Sequence, residues 1–344
     1  MPSSGRSSVT RKHTRVERAP AASASKTDIL REPAELRSRR IGLALLADVR
    51  AARDRLDDPN DESALHDFRV ALRRLRSLLR AFGPQLRDTM DAKIERRLER
   101  IADATGASRD LEVHVEWAKR ARRSMRDRGR PGADWLIRHL RADKRKADAD
   151  LRDNLDRHFS KAVRQTERAL ERYEARVADD GPRFGEVAAD LVSREASALE
   201  SAIERVTSQG DRAEVHAARI AAKRLRYAVE PLAGAGAPTE SLVADLKRMQ
   251  NTLGELHDAQ VFGSELATMI SKLIAQRGEG RPKRTGARSS QSRAADPVPG
   301  LRTMLRRLRR AEAKSFQKFQ RRWRTDDWRD ACAAQLAAID RSLR

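Results

Sequence analysis

A single cysteine, Cys332, stands in 344 residues. An intramolecular disulfide and a cysteine metal cluster are both excluded, and a reducing compartment fits. Aromatic residues are only 4% of the chain, too few for a β-rich core or for stacking the bases of a single strand. No apolar run approaches the ~18–20 residues of a membrane span. The first residues, MPSSGRSSVTRKHTRVERAP, lack the apolar stretch of a secretory leader. No glycine-rich phosphate loop opens a helix, and neither a Walker-type motif nor a Ser-His-Asp order occurs. No segment alternates apolar and polar residues with period two. The absences leave a soluble, cytoplasmic, all-α protein with no enzymatic activity, no cofactor and no membrane partner expected.

What the chain has is charge of one sign. Lys and Arg number 73 against 51 Asp and Glu, a formal net charge of +22. Such an excess calls for an acidic partner: nucleic acid, an anionic membrane or another polyanion. Most of the cations are Arg, whose planar fork of donors suits bidentate contacts to phosphate. Hydrophobic residues make up 39%, enough for a core if they recur with helical spacing.

Residues 1–32 are rich in Ser, Arg, Ala and Pro without apolar period, and read as a disordered basic tail. From 33 to 344 the apolar residues recur every three or four positions, with a first half at 33–180 and a second at 181–344. The stretch RGEGRPKRTGARSSQSRAADPVPG marks a disordered basic insert at about 277–299. Gly83-Pro84, Gly106 and Gly181-Pro182 read as breaks between helices. In the second half, helices are expected at about 184–206, 216–232, 239–253 and 258–276.

The two halves echo one another. HDFRVALRRLRSLLR from His66 aligns without a gap with HAARIAAKRLRYAVE from His216, 150 residues on. This pairs His66 with His216, Arg69 with Arg219, Arg73 with Lys223 and Arg76 with Arg226. At nearly the same offset, GASRDLEV from Gly106 matches GELHDAQV from Gly254, so Arg109 faces His257 and Asp110 faces Asp258. A weaker echo joins LRADKR from Leu140 to LRRLRR from Leu305. An ordered series of this kind predicts an internal duplication: two similar helical bundles about a pseudo-two-fold axis, with a site where matched helices meet.

On a helix of 3.6 residues per turn, His66, Arg69, Arg73, Arg76 and Arg80 share one face, and Phe68, Leu72, Leu75 and Leu79 the other. In the second copy His216, Arg219, Lys223 and Arg226 share a face. A solvated helix face usually mixes signs, because like charges at i,i+4 cost ~0.2–0.5 kcal/mol per pair. Here no acid on that face offsets Arg69, Arg73 and Arg76, so an external anion is expected to do so. Histidine ligation of a metal fits poorly, because the neighbours are cations, and no metal site is expected. His114, His139 and His158 lack counterparts and read as surface or core residues. Asp110 and Asp258 read as capping groups or as acids that orient an Arg or His.

The segments LHDFRVALRRLRSLLRAF and VHAARIAAKRLRYAVEPL resemble the paired hallmark segments of the CHAD family, the conserved histidine alpha-helical domain. RDLEV and LGELHDAQVF are similar to that family's companion motifs. The resemblance spans about residues 33–344 apart from the insert. It implies an all-α fold of two similar bundles around a basic central groove or pore, binding of inorganic polyphosphate, and association with polyphosphate granules. Carried onto this chain, the implied contacts are His66, Arg69, Arg73, Arg76, His216, Arg219, Lys223 and Arg226, with Arg109 and His257 as further candidates. Two features depart from the family. No ExExK run of a triphosphate tunnel domain precedes the helices, so triphosphatase activity is not implied, and Glu230 stands where the first copy has Arg80. The competing readings are an architectural nucleic-acid binder, with weak non-specific attraction through tail and insert, and an enzyme or phosphohistidine carrier using His66 or His216.

Overall fold

Apolar residues at positions 68, 71, 72, 75, 78 and 79 fall on one face of a helix, and all six are buried. The same logic repeats along the chain. The computed structural model describes residues 14–15, 26–58, 60–61, 63–173, 181–279 and 296–344. The first-half helices are α1 (Lys26–Arg31), α2 (Ala34–Asp54), α3 (Ala64–Ala81), the single turn α4 (Gly83–Leu86), α5 (Ala92–Arg123), α6 (Arg130–Asn154) and α7 (Ser160–Glu171). A π-helical turn, Leu155–Phe159, joins α6 to α7. The second half gives α8 (Phe184–Arg205), α9 (Arg212–Val229), α10 (Glu240–Glu279), α11 (Val298–Trp323) and α12 (Asp326–Leu343).

The all-α class therefore holds, with differences in detail. The expected tail is not featureless: α1 packs on α8, and Thr14–Arg15 pairs antiparallel with Arg172–Tyr173. Of the insert expected at 277–299, both ends are helical, since α10 runs to Glu279 and α11 starts at Val298. Residues 280–295 lie outside the described residues, as does most of 1–25. The two helices expected at 239–253 and 258–276 are one, because α10 passes through Gly254, and α5 likewise passes through Gly106. One glycine in a helix costs only about 1 kcal/mol, which flanking burial outweighs. Ser63 does not cap α3. Asp61 instead accepts the Ser63 backbone N–H at 3.0 Å, and Arg55 ties Asp61 and Asp67 to the preceding turn.

Element order and neighbours recur between the halves. α2 packs on α3, α5 on α6 and α2 on α7; α8 packs on α9, α10 on α11 and α8 on α12. Between the halves, α2 meets α8, α3 meets α9 and α6 meets α11. Neither half keeps a private core. The main cluster joins α2, α3, α8 and α9 with the first part of α5 and α10, around Phe68, Leu75, Leu225 and Leu253. A second cluster forms from the far ends of α5, α6, α10 and α11, around Val115, Leu136, Phe262 and Leu301.

Two glycines close the second cluster. Gly132 of α6 and Gly300 of α11 each follow a proline at the start of their helix. A Cβ on Gly132 would lie 2.4 Å from the Pro297 carbonyl oxygen and 2.7 Å from Gly300 Cα, and one on Gly300 would lie 2.3 Å from the Gly129 carbonyl oxygen. These obstacles are backbone, so no rotamer relieves them. Gly132→Ala should lower the unfolding free energy by about 1–3 kcal/mol. A urea midpoint unchanged from wild type would show that the helix starts do not meet this closely.

Candidate functional site

α3 and α9 turn their apolar faces into the main core, Leu72 and Leu75 from one and Ala222 and Leu225 from the other. Their basic faces are thereby left towards the gap between the helices, which α5 and α10 close. The gap is a cavity of about 360 Å³ lined by Arg69, Arg73, Arg76, Arg219, Lys223 and His257, together with Thr105, Asp110, His114, Asp258 and Glu265. Val113 and Val261, matched in the two halves, also line it and are among the few exposed large apolar side chains.

The cations differ in how they are held. Arg69 donates from Nη1 to the Thr105 carbonyl at 2.7 Å, and its Nη2 lies 3.6 Å from Asp110 Oδ1. Burial pulls the Arg69 pKa down against the pull of Asp110, with Arg73, Arg109 and Arg219 adding to the depression. Arg76 meets Glu99 at 3.0 Å. The basic face of α3 is therefore not wholly uncompensated, as its own sequence suggested: α5 supplies two acids that a reading of α3 alone could not see. Arg73, Arg219 and Lys223 form no ion pair among the described residues, and Arg73 Nε is buried without a hydrogen-bond partner. Lys223 carries the largest consequence. Loss of hydration, then Arg219, Arg73, Arg226 and Arg69, lower its pKa from 10.5 to about 7.

His216 and His257 stand together, ring centroids 5.0 Å apart. Loss of hydration, then Arg219 and Lys223, lowers the His216 pKa. The same cause, followed by Arg219, His216 and Lys223, takes His257 down to about 4, and its Nδ1 is buried without a partner. Both rings are therefore neutral at pH 7 in the empty site. His114, read from sequence as unremarkable, also lines the cavity. Its ring stacks on Phe262 at 3.9 Å with Nδ1 3.8 Å from Glu265, and burial lowers its pKa. Its position four residues after Asp110 on α5 was the available signal.

Three of the ten sequence candidates stand apart from the cavity lining, besides His216 behind His257. His66 is exposed at the start of α3. Arg109 is paired with Glu112 at 2.7 Å. Arg226 Nε lies 3.4 Å from Glu230, with its guanidinium 4.6 Å over the Tyr227 ring, while Arg74 approaches Glu230 at 3.9 Å. Glu230 thus ties α9 to α3 at the point where the first copy carries Arg80. Among the described residues no group of three or more His, Cys, Asp or Glu could hold a metal ion, and no helix is long and apolar enough to cross a membrane.

Comparison with known proteins agrees with this architecture. The family model described as the CHAD domain matches residues 40–267. The crystal structure of the CHAD domain from the plant Ricinus communis is similar with a TM-score of 0.57 at 20% identity, covering 94% of this chain and 96% of that one. PptA from Streptomyces chartreusis is similar with a TM-score of 0.63 at 14% identity, covering 86% of this chain and 100% of that one. At these identities the likeness concerns the fold. No curated protein matches the chain.

Proposed function

Since the chain belongs to the CHAD domain family, we propose that it binds inorganic polyphosphate in the cavity between α3 and α9, without catalysing a reaction. The observation that carries this reading is the meeting of Arg73, Arg219 and Lys223 from matched helices around one cavity, none of them in an ion pair among the described residues. Burying Lys223, and then crowding it with these cations, costs folding free energy, in line with its lowered pKa. A phosphate chain repays that cost: it brings negative charge at every unit and oxygen acceptors for Arg forks. It needs no base-stacking aromatic, and no Phe, Tyr or Trp lines the cavity. Asp110 positions Arg69 rather than repelling the ligand outright, because it lies against the guanidinium. The same reading places the protein in the cytoplasm at polyphosphate granules.

The overall charge favours a second reading, an architectural nucleic-acid binder. Competition separates the two. Long-chain polyphosphate should displace duplex DNA at equal charge concentration, and deleting residues 1–25 and 280–295 should weaken DNA binding while sparing polyphosphate. Equal competition by DNA would decide for the second reading. Both affinities should fall with salt, so they are to be compared at one ionic strength.

A further inference from the structure

A second concentration of positive charge lies away from the central cavity. Lys93, Arg96, Arg97 and Arg100 recur on α5 at spacings that put them on one side of the helix, while Ile94, Leu98 and Ile101 are buried on the other. Opposite them, the π-helical turn and the start of α7 supply Arg157, His158 and Lys161. Together these seven residues line a cleft of about 390 Å³ with no acid among them. Arg157 is held by Asp153 at 2.7 Å and Arg97 bonds the Gln165 side chain. Lys93, Arg96, Arg100 and Lys161 make no ion pair among the described residues. Lys93 also sits in the first turn of α5, where the helix dipole disfavours a cation.

An Arg-rich composition does not account for this cleft. The matched positions on α10 are Ser241, Ala244, Asp245 and Arg248. There Asp245 takes Arg248 at 2.6 Å and Arg322 at 3.7 Å, so the second half neutralises the equivalent place. The cleft and the central cavity border a common hollow. A smaller hollow of about 210 Å³, lined by Arg76, Arg80 and Arg96 among others, shares Arg76 with the central cavity. It shares Arg96 with the cleft. Of its two acids, Glu95 and Glu99, the second is held by Arg76 at 3.0 Å.

We propose that this cleft is a second phosphate-chain subsite, so that one long polyphosphate chain is held at the central cavity and again across the first half of α5. The proposal rests on the central-cavity reading for its ligand class, but it stands on its own geometry. A chain tethered at the first site meets the second at high effective concentration, so the cleft adds affinity only for chains long enough to reach it.

The test uses the full chain carrying Lys93→Glu, Arg96→Glu and Lys161→Glu, all exposed positions. Tripolyphosphate, long-chain polyphosphate and duplex DNA are titrated at one salt concentration. The variant should bind tripolyphosphate as wild type does and long chains about tenfold or more weaker, since exposed contacts are individually modest and three are lost. The corresponding glutamine variant should shift in the same direction by less, which separates lost contact from added repulsion. Unchanged long-chain affinity overturns the proposal. Loss of DNA binding alone overturns it too, and assigns the cleft to nucleic acid. Arg73→Glu with Lys223→Glu, measured in parallel, reports on the central cavity through tripolyphosphate. Whatever that variant does, the cleft is decided by the long-chain ratio between its own variant and wild type.

Discussion

Lys223→Met should give a protein that is more stable than wild type and a poorer binder of polyphosphate. The side chain is partly buried among Arg73, Arg219, Arg226 and Arg69, and its pKa falls to about 7. A base whose folded pKa lies below its unfolded value destabilises the fold fully below the folded pKa, and the penalty fades as pH rises towards the unfolded one. Methionine keeps the stem and removes the charge. The gain, after allowing for solvent screening, should be about 1–3 kcal/mol at pH 6 and should shrink as pH rises from 7 towards 10. In the bound state the ammonium meets phosphate oxygens in a partly dehydrated cavity, where a charge-assisted contact is worth about 1.5–3 kcal/mol. Affinity should therefore drop roughly tenfold to a hundredfold. Urea denaturation gives one quantity and isothermal titration the other. A variant less stable than wild type at pH 6 would mean that Lys223 is held by contacts rather than strained by its neighbours.

Polyphosphate binding should take up protons and weaken as pH rises through 7. Lys223 in the empty site is half neutral near pH 7, and a bound polyanion raises its pKa again. Below that pH the free lysine is already charged and contributes no proton uptake. Above it each binding event must import a proton, so affinity declines until pH reaches the raised pKa of the complex. His216 and His257, depressed by burial and then by the same Arg219 and Lys223, act in the same direction at lower pH. Histidine alone would put the change below pH 7, and the lysine puts its main part on the alkaline side. Titrations at pH 7.5 in two buffers of different ionisation enthalpy should differ in apparent binding heat by the protons taken up. In Lys223→Met that difference should largely disappear. Equal heats in both buffers for wild type would remove the lysine from the coupling.

Much of this site could be read from the chain because helical period and charge sign reinforce one another. The alternation of Leu72, Leu75 and Leu79 with Arg69, Arg73 and Arg76 fixes which face of α3 is buried. The offset between His66 and His216 named the partner helix. The acids escaped notice because they come from α5: Asp110 and Glu99 reach Arg69 and Arg76 across a helix packing that no local pattern encodes. His66 and Arg226 were drawn in by alignment with their counterparts. Alignment cannot tell that a residue in the first turn of α3 stays in solvent, or that Glu230 captures Arg226. Glycine is a poor helix former, yet Gly106 and Gly254 both lie inside long helices whose flanks are buried. Pro131-Gly132 and Pro299-Gly300 are a paired signal in the sequence. They match the starts of α6 and α11, about one turn out of register with the weak echo at Leu140 and Leu305. Matched glycines in contact, and Arg73 facing Lys223, are what two copies related by a two-fold would produce.

On the proposed reading the two halves build one polyphosphate surface. Size-defined polyphosphate is to be titrated into wild type, Arg73→Glu, Lys223→Glu and the double variant. Each single reversal should cost about a hundredfold or more, because it removes a contact and adds repulsion within one cavity. The double variant should lose less than the sum of the two, since both act on the same bound chain. Loss from only one variant, or strictly additive losses with half the binding stoichiometry after each, would mean two independent sites and would contradict the account.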